Sequence, residues 1–271
     1  MKKVLIGLSL VASLSTLSFA NEATSEDINL TEENKQEMLN SDFQMPSAGA
    51  LVMALTKNIG DTDWNSFITP VGKKKYTSNE DLVLNLGVRG ADAYFLTASK
   101  DSANLISVST EINYLLNKVQ VKGKSLNTSS RKSRLKELKD LVKAKNWERV
   151  QKEITVLQNS IDNDFIDANS TSLMILNNIG GWIEGYRLAL EGFNKNYKAD
   201  KTEILLQDEL ISYLYKELKN DSSLKAFDKT PKLLKTLSSL NVILKSVKDD
   251  KLTKAQITEL LSVLNETKKY I

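Results

Sequence analysis

The chain has 271 residues, a formal net charge of +3, and neither Cys nor His. Those two absences exclude Ser-His-Asp and Cys-His nucleophile systems, thiolate or imidazole metal sites, c-type haem attachment and disulfides. Acid–base chemistry would have to come from Asp, Glu, Lys or Tyr. The near-neutral charge does not argue for nucleic acid as a partner.

The first stretch reads as a secretory signal. Lys2 and Lys3 precede an apolar run, and Ser18-Phe19-Ala20 sets small residues at −3 and −1 of a cleavage site. Cleavage after Ala20 is expected, with the periplasm or the exterior as destination. No Cys follows the apolar run, so it is not a lipoprotein signal. Losing Lys2 and Lys3 takes the formal charge from +3 to +1. Residues 21–44 are polar and acidic, with Glu22, Glu26, Asp27, Glu32, Glu33 and Glu37 against Lys35. They read as a flexible arm, and 45–271 as a single helical domain.

Three prolines and an abundance of Leu, Lys, Glu and Ala predict an all-α fold. A first helix opens at Pro46 or Ser47. A short turn through Trp64 follows, then a loop marked by Pro70 and Gly72. Ser78 with Asp81 resembles a capping box at the head of the next helix, about 79–98. That helix is apolar on nearly every side, which marks it as central. Arg89 and Asp92 at its middle argue against a bilayer span, because each charge costs about 3 kcal/mol there.

Next comes a helix with the stripe Leu105, Val108, Ile112, Leu115 and Val119. A basic, Ser-rich stretch from Lys122 to Arg134 follows, with an internal boundary expected near 122–131. Helical pattern resumes at 133–144 and 146–165, and again over about 170–195. Further helices are expected over 203–218, then from Pro231 along the stripe Leu233, Leu237, Leu240, Leu244, Val247. Thr253 with Gln256 forms a capping box for the last one. The expected architecture is antiparallel helical hairpins in a multi-helix bundle or short α-solenoid. No 34-residue repeat signature recurs.

Two helices carry the chemistry. Gly87, Gly90 and Ala91 on one, and Gly181-x-x-x-Gly185 on the other, are smooth patches that let helices approach closely. They are expected to face each other or a shared neighbour. Arg89–Asp92 and Glu184–Arg187 are i,i+3 pairs on apolar stripes, and buried Arg requires partners. Two readings stand: a structural ion-pair network, or a charged pocket for a small anion or zwitterion. Arg89, Asp92, Glu184 and Arg187 would bind, and Trp182, Tyr186 and Tyr94 would line it. The segments "NLGVRGADAY" and "NIGGWIEGYR" are alike enough to suggest duplication of a hairpin.

Other motifs fail. "GKSLNTSS" lacks the earlier Gly and the strand of a phosphate loop. "KDDKLTKAQITEL" puts Lys248 first and Leu252 fifth in a calcium loop. No catalytic residue, metal or cofactor is expected. The function expected is that of an exported, non-enzymatic helical protein that binds an envelope protein partner or self-associates. The alternative is a small polar or anionic ligand-binding protein using the 79–98 and 170–195 helices. A weak contact with an anionic surface through 122–139 is expected as well.

Overall fold

The computed structural model describes residues 62–72 and 75–271. The expected signal peptide, the acidic arm and the helix from Pro46 lie outside the described residues. Among these, eight α-helices form an all-α multi-helix bundle: α1 (Asn79–Ala98), α2 (Ser102–Lys118), α3 (Ser129–Lys143), α4 (Trp147–Asp167), α5 (Thr171–Lys195), α6 (Asp208–Asn220), α7 (Thr230–Lys245) and α8 (Lys254–Lys268). Short 3-10 turns at Trp64–Phe67, Ala199–Leu205 and Ser223–Ala226 complete the described helical elements.

Three connectors use one device. Helices α1, α3 and α4 end with Lys100, Lys145 and Asn169 in the left-handed region, at φ 56°, 56° and 46°. In each, the following N–H reaches five residues back: Asp101 to Leu96, Asn146 to Leu141, and Ser170 to Phe165. This is a Schellman closure, usually built on Gly. Asp101 and Asn146 then cap the next helix, their side chains accepting from the N–H groups of Asn104 and Arg149. One residue therefore ends one helix and starts another, which holds successive helices together through three-residue connections.

The stretch from Lys122 to Arg134 contains a small antiparallel hairpin. β1 (Gln120–Val121) pairs with β2 (Lys124–Ser125) across Lys122 and Gly123, both with positive φ. Leu126 and Asn127 behind it are buried. The expected helix over 203–218 is broken. Residues Ala199–Leu205 form a 3-10 turn and α6 starts only at Asp208. Two distant groups hold that break: Tyr186 donates its hydroxyl to the Leu205 carbonyl at 2.8 Å, and Thr202 Oγ1 accepts from the Leu252 N–H at 2.9 Å.

α1 does not hold the centre alone. Its main partner is α5, and it also packs on α2 and α4, while α5 reaches α4, α6 and α8. α6, α7 and α8 form a second packed group. No helix among the described residues is long and apolar enough to cross a membrane.

Candidate functional site

The α1–α5 contact is made by main chain. A Cβ added at Gly87 would lie 1.9 Å from the Asn177 carbonyl oxygen. One at Gly180 would lie 2.0 Å from the Leu84 carbonyl oxygen. Side chains would not fit between the two helices at these points. Gly181 is tight but less so, its added Cβ 3.3 Å from the Gly87 carbonyl oxygen. Gly185 would meet only the Ala91 methyl, at an ordinary 3.9 Å. Gly90 turns away from α5, toward Gln158 of α4. Gly180, absent from the small-xxx-small spacing, is thus one of the two tightest positions.

This close approach brings the charged pairs together. Arg89 Nη1 lies 2.8 Å from Asp92 Oδ2, and its Nε is 2.7 Å from Glu111 Oε2 on α2. Tyr76 donates to the other Glu111 oxygen at 2.8 Å. Arg187 donates twice to Glu184, at 2.6 and 2.9 Å, and has Glu191 at 3.8 Å. Lys268, in the last turn of α8, reaches Glu184 at 3.2 Å. Asp92 is 0% exposed and Glu184 1% exposed.

The fields of the two pairs overlap. Burial, then the like charge of Glu184, push the Asp92 carboxyl up to about 8, against the pull of Arg89. Burial acts on Glu184 in the same sense, but Arg187 and Lys268 overcome it and hold that carboxyl below its usual range. Burial and the neighbouring Arg187 lower Lys268, although Glu184 resists. Two carboxyls with pKa values pushed apart can do acid–base chemistry where water and substrate reach them. Here both are sealed from solvent.

What seals them includes the segment before α1. The Phe67 carbonyl accepts from Arg187 Nη2 at 2.8 Å, and the Thr69 carbonyl accepts from Arg89 Nη1 at 2.9 Å. Trp64 is buried edge-on to Phe95, ring centroids 4.7 Å apart, and Ile68 is buried beside it. Both arginines are thereby engaged by their own carboxylates and by main chain.

The aromatic residues do not join this set. Trp182 and Tyr186 stack on each other at 4.9 Å, and the Tyr186 hydroxyl is spent on Leu205. One turn apart, these rings share a face of α5 that points away from Glu184, two residues on from Trp182. Tyr94 points its hydroxyl to Thr155 of α4 at 3.3 Å. The small cavity nearby, about 20 Å³, lies among Leu86, Gly90, Ile112, Ile154, Leu157 and Gln158 rather than among the charges. It has room for about one water. Among the described residues no cluster of carboxylates is arranged to hold a metal ion.

Sequence reasoning missed Glu111 and Lys268. Glu111 left a signal, a lone acid on the Leu105–Leu115 stripe; Lys268, 84 residues from Glu184, left none. A second buried pair was also missed. Asp81, at the head of α1, accepts from Lys229 just before α7 and from Asn85 Nδ2 at 3.1 Å. Ser78 caps α1 as expected, accepting from the Asp81 N–H at 3.1 Å. The Asp81 side chain does not complete the box; it ties α1 to the α7 end of the bundle.

No protein-family model, curated protein or solved structure matches this chain.

Proposed function

We propose that the chain is an exported, non-enzymatic helical protein that acts by binding a partner protein or by self-association. The observation that carries this reading is the spending of Arg89 and Arg187 on internal partners. Each guanidinium holds a carboxylate of its own helix and a carbonyl of the same preceding segment. Such a set fixes helix position and leaves the chemistry of the chain to its outer surface.

Among the described residues that surface has a strongly basic region. From Lys118 to Lys145 there are ten Lys or Arg against two acids, a net +8 in a chain whose total is +3. Arg131 is withdrawn from it, bonded to Leu126, Ser160 and Asp164, and Arg134 is paired with Glu153. Lys132, Lys136, Lys139 and Lys143 run along one side of α3, Lys139 donating to Thr110 and Lys143 lying 3.8 Å from Asp140, with Lys122 and Lys124 in the hairpin beyond. Their spacing of four, three and four residues is that of a single helix face. It suits an acidic protein surface or, more weakly, an anionic envelope surface.

Two measurements test this. The N-terminus of the protein recovered from the cell exterior or periplasm should be Asn21; full-length chain confined to the cytoplasm contradicts export. Capture from envelope extract should return the same partner repeatedly at low salt, and lose it when Lys132, Lys136 and Lys143 are changed to Glu. Clean blanks in both arms contradict the binding reading.

The convergence of Arg89, Asp92, Glu184 and Arg187 favours a second reading, a small polar ligand held between α1 and α5. Such a ligand must displace the Phe67 and Thr69 carbonyls. It should raise the melting temperature of the wild type and fail to do so with Arg187→Ala.

A further inference from the structure

The segment 62–72 has the contacts of a bound peptide. Its carbonyls at Phe67 and Thr69 lie two residues apart across the extended Ile68 (φ −79°, ψ 134°), and both reach the charged set of α1 and α5. Two arginines from different helices receive them. Trp64 fills an apolar slot against Phe95, and Ile68, between Phe67 and Thr69 in sequence, is buried in the core. Lys195 of α5 stands 5.8 Å over the Phe67 ring. Two carbonyl-binding donors read main chain and are blind to sequence, whereas the Trp slot reads one side chain. Peptide-binding grooves combine these two elements.

The donors are unusually well held for that purpose. Arg187 is gripped twice by Glu184, which Lys268 supports from α8. Arg89 lies between Asp92 and Glu111. An arginine fixed by its carboxylates loses little freedom when it donates once more, so the groove is preorganised. The positive and negative charges within it roughly balance, which suits a neutral peptide backbone better than a free anion.

We infer that α1 and α5 form a peptide-binding groove, occupied in the monomer by the chain's own residues 64–69 and able to accept the same segment from a second copy. A second copy brings identical carbonyls and an identical Trp64, so exchange conserves every contact made here. This deepens the self-association reading and rests on it. It involves the purified chain alone, so its failure leaves an envelope partner for the α3 face untouched.

The test uses full chains. Trp64→Ala removes the anchor from a chain's own segment and leaves its groove intact. A synthetic peptide covering residues 62–72 should then bind that variant saturably and raise its melting temperature. The same peptide with Ala in place of Trp64 should bind about tenfold more weakly or worse. A second chain carrying Arg89→Lys with Arg187→Lys keeps both charges and loses the reach to the carbonyls. Mixed with Trp64→Ala, it should form a dimer in sedimentation velocity that neither variant forms alone. If Trp64→Ala fails to fold, Trp64→Phe replaces it, and recovery of fold on adding peptide counts in favour. Absence of peptide binding to a folded variant overturns the groove. Peptide binding with no mixed dimer overturns the second copy as its occupant.

Discussion

Helices α1 and α5 meet through main chain, whereas α7 and α8 meet through side chains. At the first contact Gly87 and Gly180 leave no room for a methyl, and charges lie sealed around it. At the second, Leu233, Leu237, Leu240 and Leu244 belong to the same core as Ile257, Leu260 and Leu264, with Thr236, Thr267 and Tyr270 sharing hydroxyl bonds of 2.7–2.8 Å. A leucine contact can lose volume and partly collapse, so it degrades by degrees. A contact built on carbonyls has nothing to yield, and the buried charges beside it tie each helix to a further neighbour, Arg89 to Glu111 of α2 and Glu184 to Lys268 of α8. The difference teaches where the molecule is specified and where it is merely filled.

Gly180→Ala should break that comparison most sharply. Its methyl would meet the Leu84 carbonyl, which belongs to a rigid helix, and the cost should be about 4 kcal/mol or more in chemical denaturation. Glu184→Gln should come close behind, about 3–5 kcal/mol, because it strips the buried Arg187 guanidinium of its carboxylate and takes the same partner from half-buried Lys268. Leu240→Ala, the control in the other contact, should cost about 2–4 kcal/mol by leaving a cavity.

Asp92→Asn tests the electrostatics through pH. The Asp92 carboxyl is raised to about 8, so the folded state holds its proton more tightly than the unfolded chain does. Stability should therefore fall as pH climbs from roughly 4 to 8. Asp162, raised by burial to about 6, adds to the lower part of that fall. The opposite sign holds for Glu184, whose contribution is lost as pH drops through its lowered range. Asn at position 92 should flatten the loss between about pH 6 and 8 in melting-temperature profiles, leaving the acid limb in place. The smallest effect should be Lys100→Gly, a gain of about 0.5–1 kcal/mol at a left-handed helix end.

Much of this frame is legible in sequence. Thr253 and Gln256 form the expected capping box, and the Leu233–Leu244 stripe is buried as its spacing requires. Local signals failed where distant groups decided the outcome. Helix-forming residues at 203–206 lie in a 3-10 turn and its exit because Tyr186 and the Leu252 N–H hold that turn from elsewhere. Lys100 and Lys145 end helices where Gly would have announced the ending. Gly180 was hidden beside a better-known spacing. The acceptors that complete the charged set are carbonyls at Phe67 and Thr69, and a carbonyl carries no mark in a sequence.

The central claim is that Arg89 and Arg187 hold the segment carrying Trp64 against the charged core. The chain has three tryptophans, so Trp147→Phe with Trp182→Phe isolates the emission of Trp64. In that background Trp64 should emit as a buried indole and resist acrylamide. Adding Arg89→Lys and Arg187→Lys should shift the emission to the red and open it to quenching, with helical circular dichroism unchanged. A Trp64 already open to quencher before the lysines are introduced, or equally shielded after, would contradict the claim.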